Sequence, residues 1–393
     1  MTQSNGLLDS TLVAHQDTQV SAQPSLKHHW HLVPEYAPQV AVLMAWPHHD
    51  TDWASMLDAA ELNFGQIAAA ISMTATPWIL VPNVEFQVRV ERIVRQILVD
   101  NNWQQNHTLE FSICNYNDTW TRDYGPLCTF RTSSNQVGQY HLRLQDFSFN
   151  GWGNKVIASL DNQVNHTLWS SGELERVYTS ALQPEKLSSV QFQPHSIVLE
   201  GGSLDTNGKL LLTTSGCLLN KNRNPNLAMN ELEEQLQLHC GVRKVLWLQQ
   251  GYLEGDDTDG HIDTLARFIN KQTIVYQGCQ DQNDSHFNNL QLMKQELQTL
   301  ARIHDLQLIE LPWPQAQFYS NRRLPATYAN FLLCNQSLLL PIYGCAQDQL
   351  AINTLEQACP EFNVVAINCQ TLIRHNGSLH CSTLQLPHIW SET

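Results

Sequence analysis

Apolar residues along the chain fall into short runs of β type that alternate with longer stretches of helical period. The β-type runs predict strands, because their Val, Ile, Leu and Trp side chains pack well on a pleated surface. These runs cover residues 40–46, 78–81, 109–114, 196–200, 210–214, 244–248, 273–276, 337–341 and 363–367. Between them, apolar positions recur with the period of an amphipathic helix. The predicted helices cover residues 58–72, 84–100, 226–238, 288–303 and 348–358.

The alternation of strands with long helices predicts an α/β architecture. No low-complexity linker divides the chain, so residues 28–393 are predicted to form one domain, preceded by a mobile polar tail at residues 1–27. From the pattern alone, a doubly wound open sheet with an added lobe is the default. Five helix-bearing units of about 70 residues would give a similar pattern, and periodicity does not choose between the two.

Charge and composition narrow the class of protein. The 393 residues include 22 Lys and Arg against 37 Asp and Glu, and the net charge of −15 repels phosphate backbones and anionic membranes. We therefore expect no nucleic-acid partner. No stretch is long and apolar enough for a membrane helix, and residues 1–27 lack the pattern of a secretory leader, so we expect a cytoplasmic protein with no membrane contact.

Motifs for metals and common cofactors are absent or incomplete. The ten cysteines have no zinc or redox spacing, and most are expected to be small buried hydrophobes. The G-W-G-N run at 151–154 lacks the third glycine of a dinucleotide fingerprint. Gly255 and Ala266 stand where a calcium loop needs ligands, and the histidines at 28–31 and 48–49 match no metal template. We therefore expect no metal and no cofactor.

Four polar segments occur where a simple core would not need them, at residues 117–126, 199–202, 255–263 and 377–383. Seen alone, each residue of interest has an ordinary explanation: Glu200 ends a strand at a Gly-Gly turn, Asp123 can pair with Arg122, and Cys381 can be a buried thiol. If residues 261–263 form a strand, however, His261 and Asp263 point to the same face and share a site.

Taken together, these segments predict a site for a cation. The carboxylates of Asp123, Glu200 and Asp263 would raise each other's pKa in one pocket unless a cation lay between them. A planar guanidinium suits such a pocket, because its N–H donors pair with carboxylates and the indole of Trp120 could cover its plane. A nearby cysteine, Cys381, would then face an electron-poor carbon.

The same segments carry a resemblance to a known family. The runs W-T-R-D-Y-G-P, L-E-G-G-S, G-D-D-T-D-G-H-I-D and G-S-L-H-C-S-T occur in this order, together with F-N-G-W-G-N-K and L-P-A-T-Y-A-N-F. From about residue 30 to 389 the chain resembles the agmatine deiminase and bacterial-type peptidylarginine deiminase family of the guanidine-modifying pentein superfamily. The resemblance implies a five-bladed α/β propeller of pseudo-fivefold ββαβ units, which replaces the open sheet as the expected fold.

The resemblance also implies residue roles, carried over position by position. Cys381 resembles the family nucleophile and His261 its general acid and base. Asp123, Glu200 and Asp263 match the carboxylates around the substrate guanidinium, and Trp120 matches a tryptophan that lines the same pocket. The common agmatine deiminase form ends in G-G-G-N-I-H-C, whereas residues 375–381 read H-N-G-S-L-H-C, so the preference for agmatine is less firmly implied than the chemistry.

This resemblance implies hydrolytic deimination of a small cationic guanidino substrate. Agmatine is the first candidate, and its products would be N-carbamoylputrescine and ammonia. This reaction would belong to putrescine biosynthesis and polyamine metabolism. Deimination of free or peptidyl arginine, or of another small guanidine, is the main alternative. An amidinotransferase, a non-catalytic guanidine- or polyamine-binding protein and a cysteine peptidase are further alternatives. Self-association into a homo-oligomer is left open.

Overall fold

The computed structural model describes residues 30–133, 138–182 and 185–389, so the predicted tail at residues 1–27 lies outside the described part of the chain. In the first half of that part the strands are β1 His31–Leu32, β2 Gln39–Ala45, β3 Thr76–Val81, β4 Glu110–Ile113, β5 Leu127–Thr132, β6 Tyr140–Ser148, β7 Leu187–Val198, β8 Asp205–Thr206 and β9 Leu210–Thr214. In the second half they are β10 Lys244–Leu248, β11 Ala266–Phe268, β12 Thr273–Gln277, β13 Gln307–Leu311, β14 Gln317–Tyr319, β15 Arg322–Leu324, β16 Leu332–Cys334, β17 Ser337–Ile342, β18 Asn363–Asn368 and β19 Leu384–Pro387.

The helices lie between these strands. They are α1 Leu57–Ile71, α2 Val84–Asp100, α3 Thr121–Tyr124, α4 Gly151–Asn154, α5 Val164–Ser170, α6 Glu173–Ala181, α7 Ser215–Leu218, α8 Met229–Cys240, α9 Phe287–His304 and α10 Gln347–Ala358. Local sequence fixes some of their ends. The side chain of Asn83, for example, accepts the backbone N–H groups of Glu85 and Phe86 and so begins α2.

A ββαβ topology repeats in five sheets of the described chain. In each, an antiparallel pair is followed by a strand that runs parallel to the second member of the pair: β19-β2-β3, β5-β6-β7, β8-β9-β10, β11-β12-β13 and β16-β17-β18. Helices occupy the crossovers between the parallel strands, as parallel pairing requires. The α/β class and the repeated unit are confirmed, whereas the arrangement of the units as propeller blades about a channel stays a prediction.

The open sheet that the pattern alone favoured is wrong. The sheets of the described residues have at most four strands each, and none joins two of the repeated units. The pattern cannot reveal this because it locates strands without their partners. It found both parallel strands of three units, β2 with β3, β9 with β10 and β17 with β18, because they read as continuous apolar runs. In the other two units it found β12 and only the end of β7, and it missed β6 and β13. It missed short first strands such as β8 and β11, which consist of two and three residues.

The C-terminal strand completes the first sheet. Strand β19 pairs antiparallel with β2, so that Leu384 lies opposite Leu43. Residues 376–383, which connect to β19, are thereby held close to β2. The described residues form three hydrophobic clusters in the interior, the largest of them around the sheet of β2 and β3. Among the residues that the structure describes, no helix has the length and apolar character needed to cross a bilayer.

Candidate active site

A cavity of about 360 Å³ opens at Cys381 and is also lined by Trp120 and Asp123. The other predicted site residues are buried next to this wall: Glu200, His261 and Asp263. The structure therefore brings together all six residues that the sequence singled out, although they come from four separate segments of the chain.

The thiol of Cys381 lies between an amide and a carboxylate. Asn330 Nδ2 is 3.3 Å from the sulfur, and Asp263 Oδ2 is 3.6 Å from it. Burial raises the pKa of the Cys381 thiol well above its usual value, and the charges of Asp263 and Asp123 raise it further. The sulfur next to these carboxylates is therefore a neutral thiol until a cation offsets their charge.

Asp123 lies on the short helix α3, and both of its carboxylate oxygens accept hydrogen bonds. Oδ2 accepts the indole N–H of Trp152 at 2.9 Å, and Oδ1 accepts the backbone N–H of Gly202 at 2.9 Å. Burial raises the pKa of Asp123 well above its usual value, and the charges of Asp263 and Glu200 add to the effect. No guanidinium or ammonium pairs with Asp123 among the described residues, so this carboxylate favours a cationic ligand.

His261 immediately precedes a 3-10 turn at Ile262–Thr264, so the strand considered for residues 261–263 is not formed. The turn nevertheless keeps Ile262 in the core while His261 faces the carboxylates. His261 Nδ1 is 3.5 Å from Asp123 Oδ1, and Nε2 is buried without a hydrogen-bond partner in the described part of the chain. Burial is the main reason that the pKa of His261 falls to about 3. The imidazole is therefore neutral and able to accept a proton.

Asp263 sits within the same turn and is fully buried. Its Oδ2 lies 2.8 Å from Nδ1 of His380, whereas Oδ1 has no partner among the residues described. Burial raises the pKa of Asp263, but the hydrogen bond and charge of His380 outweigh this and hold it below its usual value. Asp263 is thus an ionised carboxylate with one free oxygen. Apart from its place before Cys381, no sequence pattern singles out His380.

Glu200 follows the end of β7 and is fully buried. Arg223, which the sequence analysis did not select, donates from Nε to both carboxylate oxygens of Glu200 at 2.8 and 3.0 Å, and from Nη1 to Asp259 at 2.7 Å. Burial raises the pKa of Glu200, and Arg223 opposes this. Arg223 belongs to the K-N-R-N-P run at 221–225, and a buried ion pair with Glu200 has no signal in sequence spacing.

Glu200 is also close to His261. An oxygen of Glu200, a ring nitrogen of His261 and the sulfur of Cys217 lie within 4.8 Å of one another. This is the one group of the described residues with a spacing that could hold a metal ion. The guanidinium of Arg223 already supplies positive charge to Glu200, which disfavours a second cation at this point.

A glycine allows the site residues to approach one another. A Cβ atom at Gly202 would lie 2.7 Å from Asp123 Oδ1 and 2.7 Å from His261 Nδ1. Gly377 plays a similar part on the cavity wall, since a Cβ atom there would lie 2.2 Å from the ring of Trp120. Only glycine fits these two places without displacing a site residue.

The cavity beyond Cys381 is strongly acidic. Its wall carries the carboxyl groups of Asp50, Asp52, Asp118, Asp123, Asp161, Asp256 and Asp257, against the guanidinium groups of Arg322 and Arg374. Burial raises the pKa of Asp118 to about 8 and of Asp161 to about 7, with the charge of Asp52 adding to the shift at Asp118. A cation in this cavity would stabilise the ionised forms.

A neutral thiol, a neutral imidazole and three buried carboxylates form one constellation at the end of this acidic cavity. Such a constellation binds a cation and exposes it to a sulfur nucleophile with a base nearby. Within an α/β fold of repeated ββαβ units, it defines the class of enzymes that modify cationic groups by cysteine chemistry.

The sequence profile of the Porphyromonas-type peptidyl-arginine deiminase family matches residues 31–387. The chain belongs to this family, as its motifs predicted. The match includes every segment that carries a site residue.

Individual relatives cover nearly the whole chain. An agmatine deiminase of Medicago truncatula is 28% identical and aligns with 92% of this chain and 97% of its own length. An agmatine deiminase of C. jejuni, solved as a cysteine-to-serine variant with substrate bound, is 33% identical, with a TM-score of 0.77 and coverage of 91% and 96%. A Porphyromonas gingivalis protein provisionally designated an arginine deiminase is 37% identical, with a TM-score of 0.77 and coverage of 91% and 98%.

Proposed function

We propose that the protein hydrolyses the guanidinium group of agmatine to give N-carbamoylputrescine and ammonia. The observation that carries the proposal is the acidic cavity that ends at Cys381. Agmatine is a dication, with a guanidinium at one end and an ammonium at the other. A guanidinium next to Asp123 and Asp263 would offset their charge, and the carboxyl groups along the cavity favour a second positive charge over the carboxylate of an amino acid.

In the proposed binding mode, Asp123 and Asp263 hold the guanidinium nitrogens by charge-assisted hydrogen bonds, and Asp263 has a free oxygen for this purpose. Glu200, which Arg223 holds in place, is the third carboxylate of the site and lies on the side of His261. Trp120 covers one wall of the pocket. Positioning of this kind presents the central carbon of the substrate to the sulfur of Cys381.

The proposed chemistry has two stages. The bound cation favours the Cys381 thiolate, whose proton passes to His261, and the thiolate attacks the guanidinium carbon and forms a C–S bond. His261 carries a proton to the departing nitrogen, the C–N bond breaks, and ammonia leaves an S-alkylthiouronium on Cys381. Water, deprotonated by His261, then attacks the same carbon. The C–S bond breaks, the thiol is restored and the ureido product leaves.

Arginine is the second candidate substrate. The identity of 37% to the P. gingivalis protein designated an arginine deiminase exceeds the 33% to the C. jejuni agmatine deiminase. Arg322 and Arg374 on the cavity wall could pair with the carboxylate of an amino acid. Either substrate would use the same site residues, since the two differ only at the end remote from the guanidinium.

An ammonia-release assay of the purified protein tests the proposal. Agmatine, arginine, N-acyl-arginine amides and guanidinobutyrate are compared, with C381S as the inactive control. We expect kcat/KM to be highest for agmatine. Faster turnover of arginine would assign arginine deimination in place of agmatine deimination. If none of these guanidines released ammonia, both candidate functions would be overturned.

The product suggests the metabolic setting. We propose a place in putrescine biosynthesis and polyamine metabolism in the cytoplasm, with residues 28–393 acting as one catalytic domain. Self-association into a homo-oligomer is compatible with this proposal. Gel filtration with light scattering would measure the oligomeric state.

A further inference from the structure

The residue before the cysteine joins the candidate site to a buried ion network. His380 is fully buried, and each of its ring nitrogens faces a carboxylate. Nδ1 lies 2.8 Å from Asp263 Oδ2. Nε2 lies 2.8 Å from Oε2 and 3.1 Å from Oε1 of Glu35, a residue 345 positions away in the chain.

Glu35 belongs to the segment between β1 and β2 and is held by two guanidinium groups. Arg122 Nη1 donates to its Oε1 at 2.8 Å, and Arg267 contacts Oε2. The pKa of Glu35 is therefore well below its usual value: burial raises it, but Arg122, Arg267 and His380 together outweigh burial. Arg122 pairs with Glu35 and not with its neighbour Asp123, so the local ion pair considered in the sequence is not formed.

Donor and acceptor counting then fixes the protons on His380. Arg122 and Arg267 hold Glu35 ionised independently of His380. Where Asp263 is ionised as well, the oxygens of both groups can only accept hydrogen bonds. A neutral imidazole has one N–H group and would place a lone pair against one of these oxygens at 2.8 Å. Only an imidazolium, which has two N–H groups, satisfies both contacts.

Opposing influences act on this proton. Burial and the charges of Arg122 and Arg267 lower the pKa of His380 below its usual value, and the charge of Glu35 and the hydrogen bond to Asp263 offset part of this lowering. The two guanidinium groups already pair with other acceptors, Arg122 with Glu35 and Arg267 with Asp205 and Glu35. The imidazole itself is in direct contact with the two carboxylates, and contact at hydrogen-bond distance in a buried site favours the protonated ring.

We propose that His380 is a buried imidazolium that bridges Glu35 and Asp263 and acts as a positioning residue for the reaction. It keeps Asp263 ionised and fixes its orientation, which leaves the second oxygen free for a guanidinium. Glu35 in turn holds the proton on His380. The functional part of this inference rests on the proposed role of Asp263 as a substrate ligand, whereas the protonation state does not.

Neutron diffraction on the unliganded wild-type protein, in deuterated buffer near pH 7, tests the protonation state directly. Glu35 borders a cavity of about 50 Å³, which gives solvent deuterons access to the network. We expect deuterium on both Nδ1 and Nε2 of His380. Deuterium on only one ring nitrogen would overturn the assignment. This result does not depend on which guanidine the enzyme uses, or on any variant being stable.

The variant H380N tests the positioning role. An Asn side chain can still donate to Asp263 from Nδ2 but has no charge and does not reach Glu35. Without the imidazolium, burial would raise the pKa of Asp263, so a higher pH would be needed to ionise it. We expect the acid limb of the pH profile of kcat/KM to move up by about one unit. Near neutral pH, where Asp263 stays ionised, KM for agmatine should rise about tenfold because Asp263 is no longer fixed in its orientation. The leucine of H380L cannot donate a hydrogen bond to Asp263, so we expect kcat/KM of H380L to fall further than that of H380N.

A histidine outside the network provides the control. His304 lies at the end of α9, remote from these contacts, and H304N is expected to keep the wild-type profile. An unchanged acid limb in H380N would overturn the positioning role, even if the variant were less stable. If the wild-type protein turned over no guanidine, the proposed function would fail while the neutron result still decided the state of His380.

Discussion

Burial sets the ionisation of the two reacting side chains before any substrate is present. The thiol of Cys381 and the imidazole of His261 are both neutral, because each lies away from water and the charges near Cys381 are negative. A thiolate therefore needs a cation beside it. In the proposed reaction the substrate is that cation, so the protein activates its nucleophile only when the guanidinium is bound.

This activation by substrate predicts charge selectivity in alkylation. The cationic reagent 2-chloroacetamidine should inactivate the protein more than tenfold faster than neutral chloroacetamide of similar size, because its amidinium offsets Asp123 and Asp263 and favours the thiolate. Loss of activity over time is the measurement, with labelling of Cys381 read by mass spectrometry. Equal rates for the two reagents would contradict the expected pairing of cation and thiol.

The neutral state of His261 predicts the effect of its removal. H261A should lower kcat by about 10²- to 10⁴-fold, because the proton would then lack a carrier both to ammonia and from water. The far-ultraviolet circular dichroism spectrum and the melting temperature should change little. A variant that kept more than a tenth of wild-type kcat would show that another group moves the proton.

At the scale of elements, short irregular segments place the site residues. Asp123 lies on a helix of four residues, and His261 and Asp263 lie at a single 3-10 turn. The backbone of Gly201–Ser203 passes between them, with Gly202 touching both groups of residues. Regular strands adjoin these segments, but the close contacts at the site depend on the absence of a side chain at Gly202.

The variant G202A is therefore expected to inactivate the protein. A methyl group 2.7 Å from both Asp123 Oδ1 and His261 Nδ1 would force them apart, and small displacements of reacting groups cost about 10²-fold in rate. The control is G172A, at a glycine with φ of +79° and nothing within 4 Å of the added Cβ. G172A should lose about 1 kcal/mol of stability from backbone strain and keep its kcat/KM. Equal activity of the two variants would count against the close approach at Gly202.

At the scale of the whole molecule, buried ion pairs connect distant parts of the chain. Arg267 in β11 is fully buried and contacts Glu35 near the N-terminus and Asp205 in β8, while its Nη1 donates to the carbonyl of Phe331 at 3.1 Å. Through Glu35 the same network reaches His380 beside Cys381. The network thus ties the third and fourth repeated units to the segment that carries the nucleophile.

Replacing the centre of this network should destabilise the whole fold. R267L leaves Glu35 and Asp205 buried without their shared cation, and the free energy of unfolding should fall by about 3–5 kcal/mol. Urea denaturation followed by fluorescence measures the change. The control R302L removes an arginine on α9 whose hydrogen bonds in the described part of the chain go to Gln298 and Thr299 of its own helix, and its effect should stay within about 0.5 kcal/mol. Similar losses in the two variants would contradict the role given to the buried pair.

The sequence by itself determined the α/β fold class, the order of the main strands and helices, and which carboxylates, imidazole and thiol form the site. Continuous apolar runs marked the buried strands, and the unusual carboxylates, His261 and Cys381 stood out because a core does not need them. The family motifs added the expected repeat. All of this is local information, readable from the side chains of neighbouring residues.

Only the tertiary structure decided how those groups are partnered. Arg223 on Glu200, Trp152 on Asp123 and His380 between Asp263 and Glu35 are contacts across long stretches of chain. The pKa of a buried group depends on such neighbours in space, and spacing along the chain does not report them. The same reason explains why His261 and Asp263 lie at a turn and not on the strand considered from their spacing, since the tertiary structure decides the conformation of so short a segment.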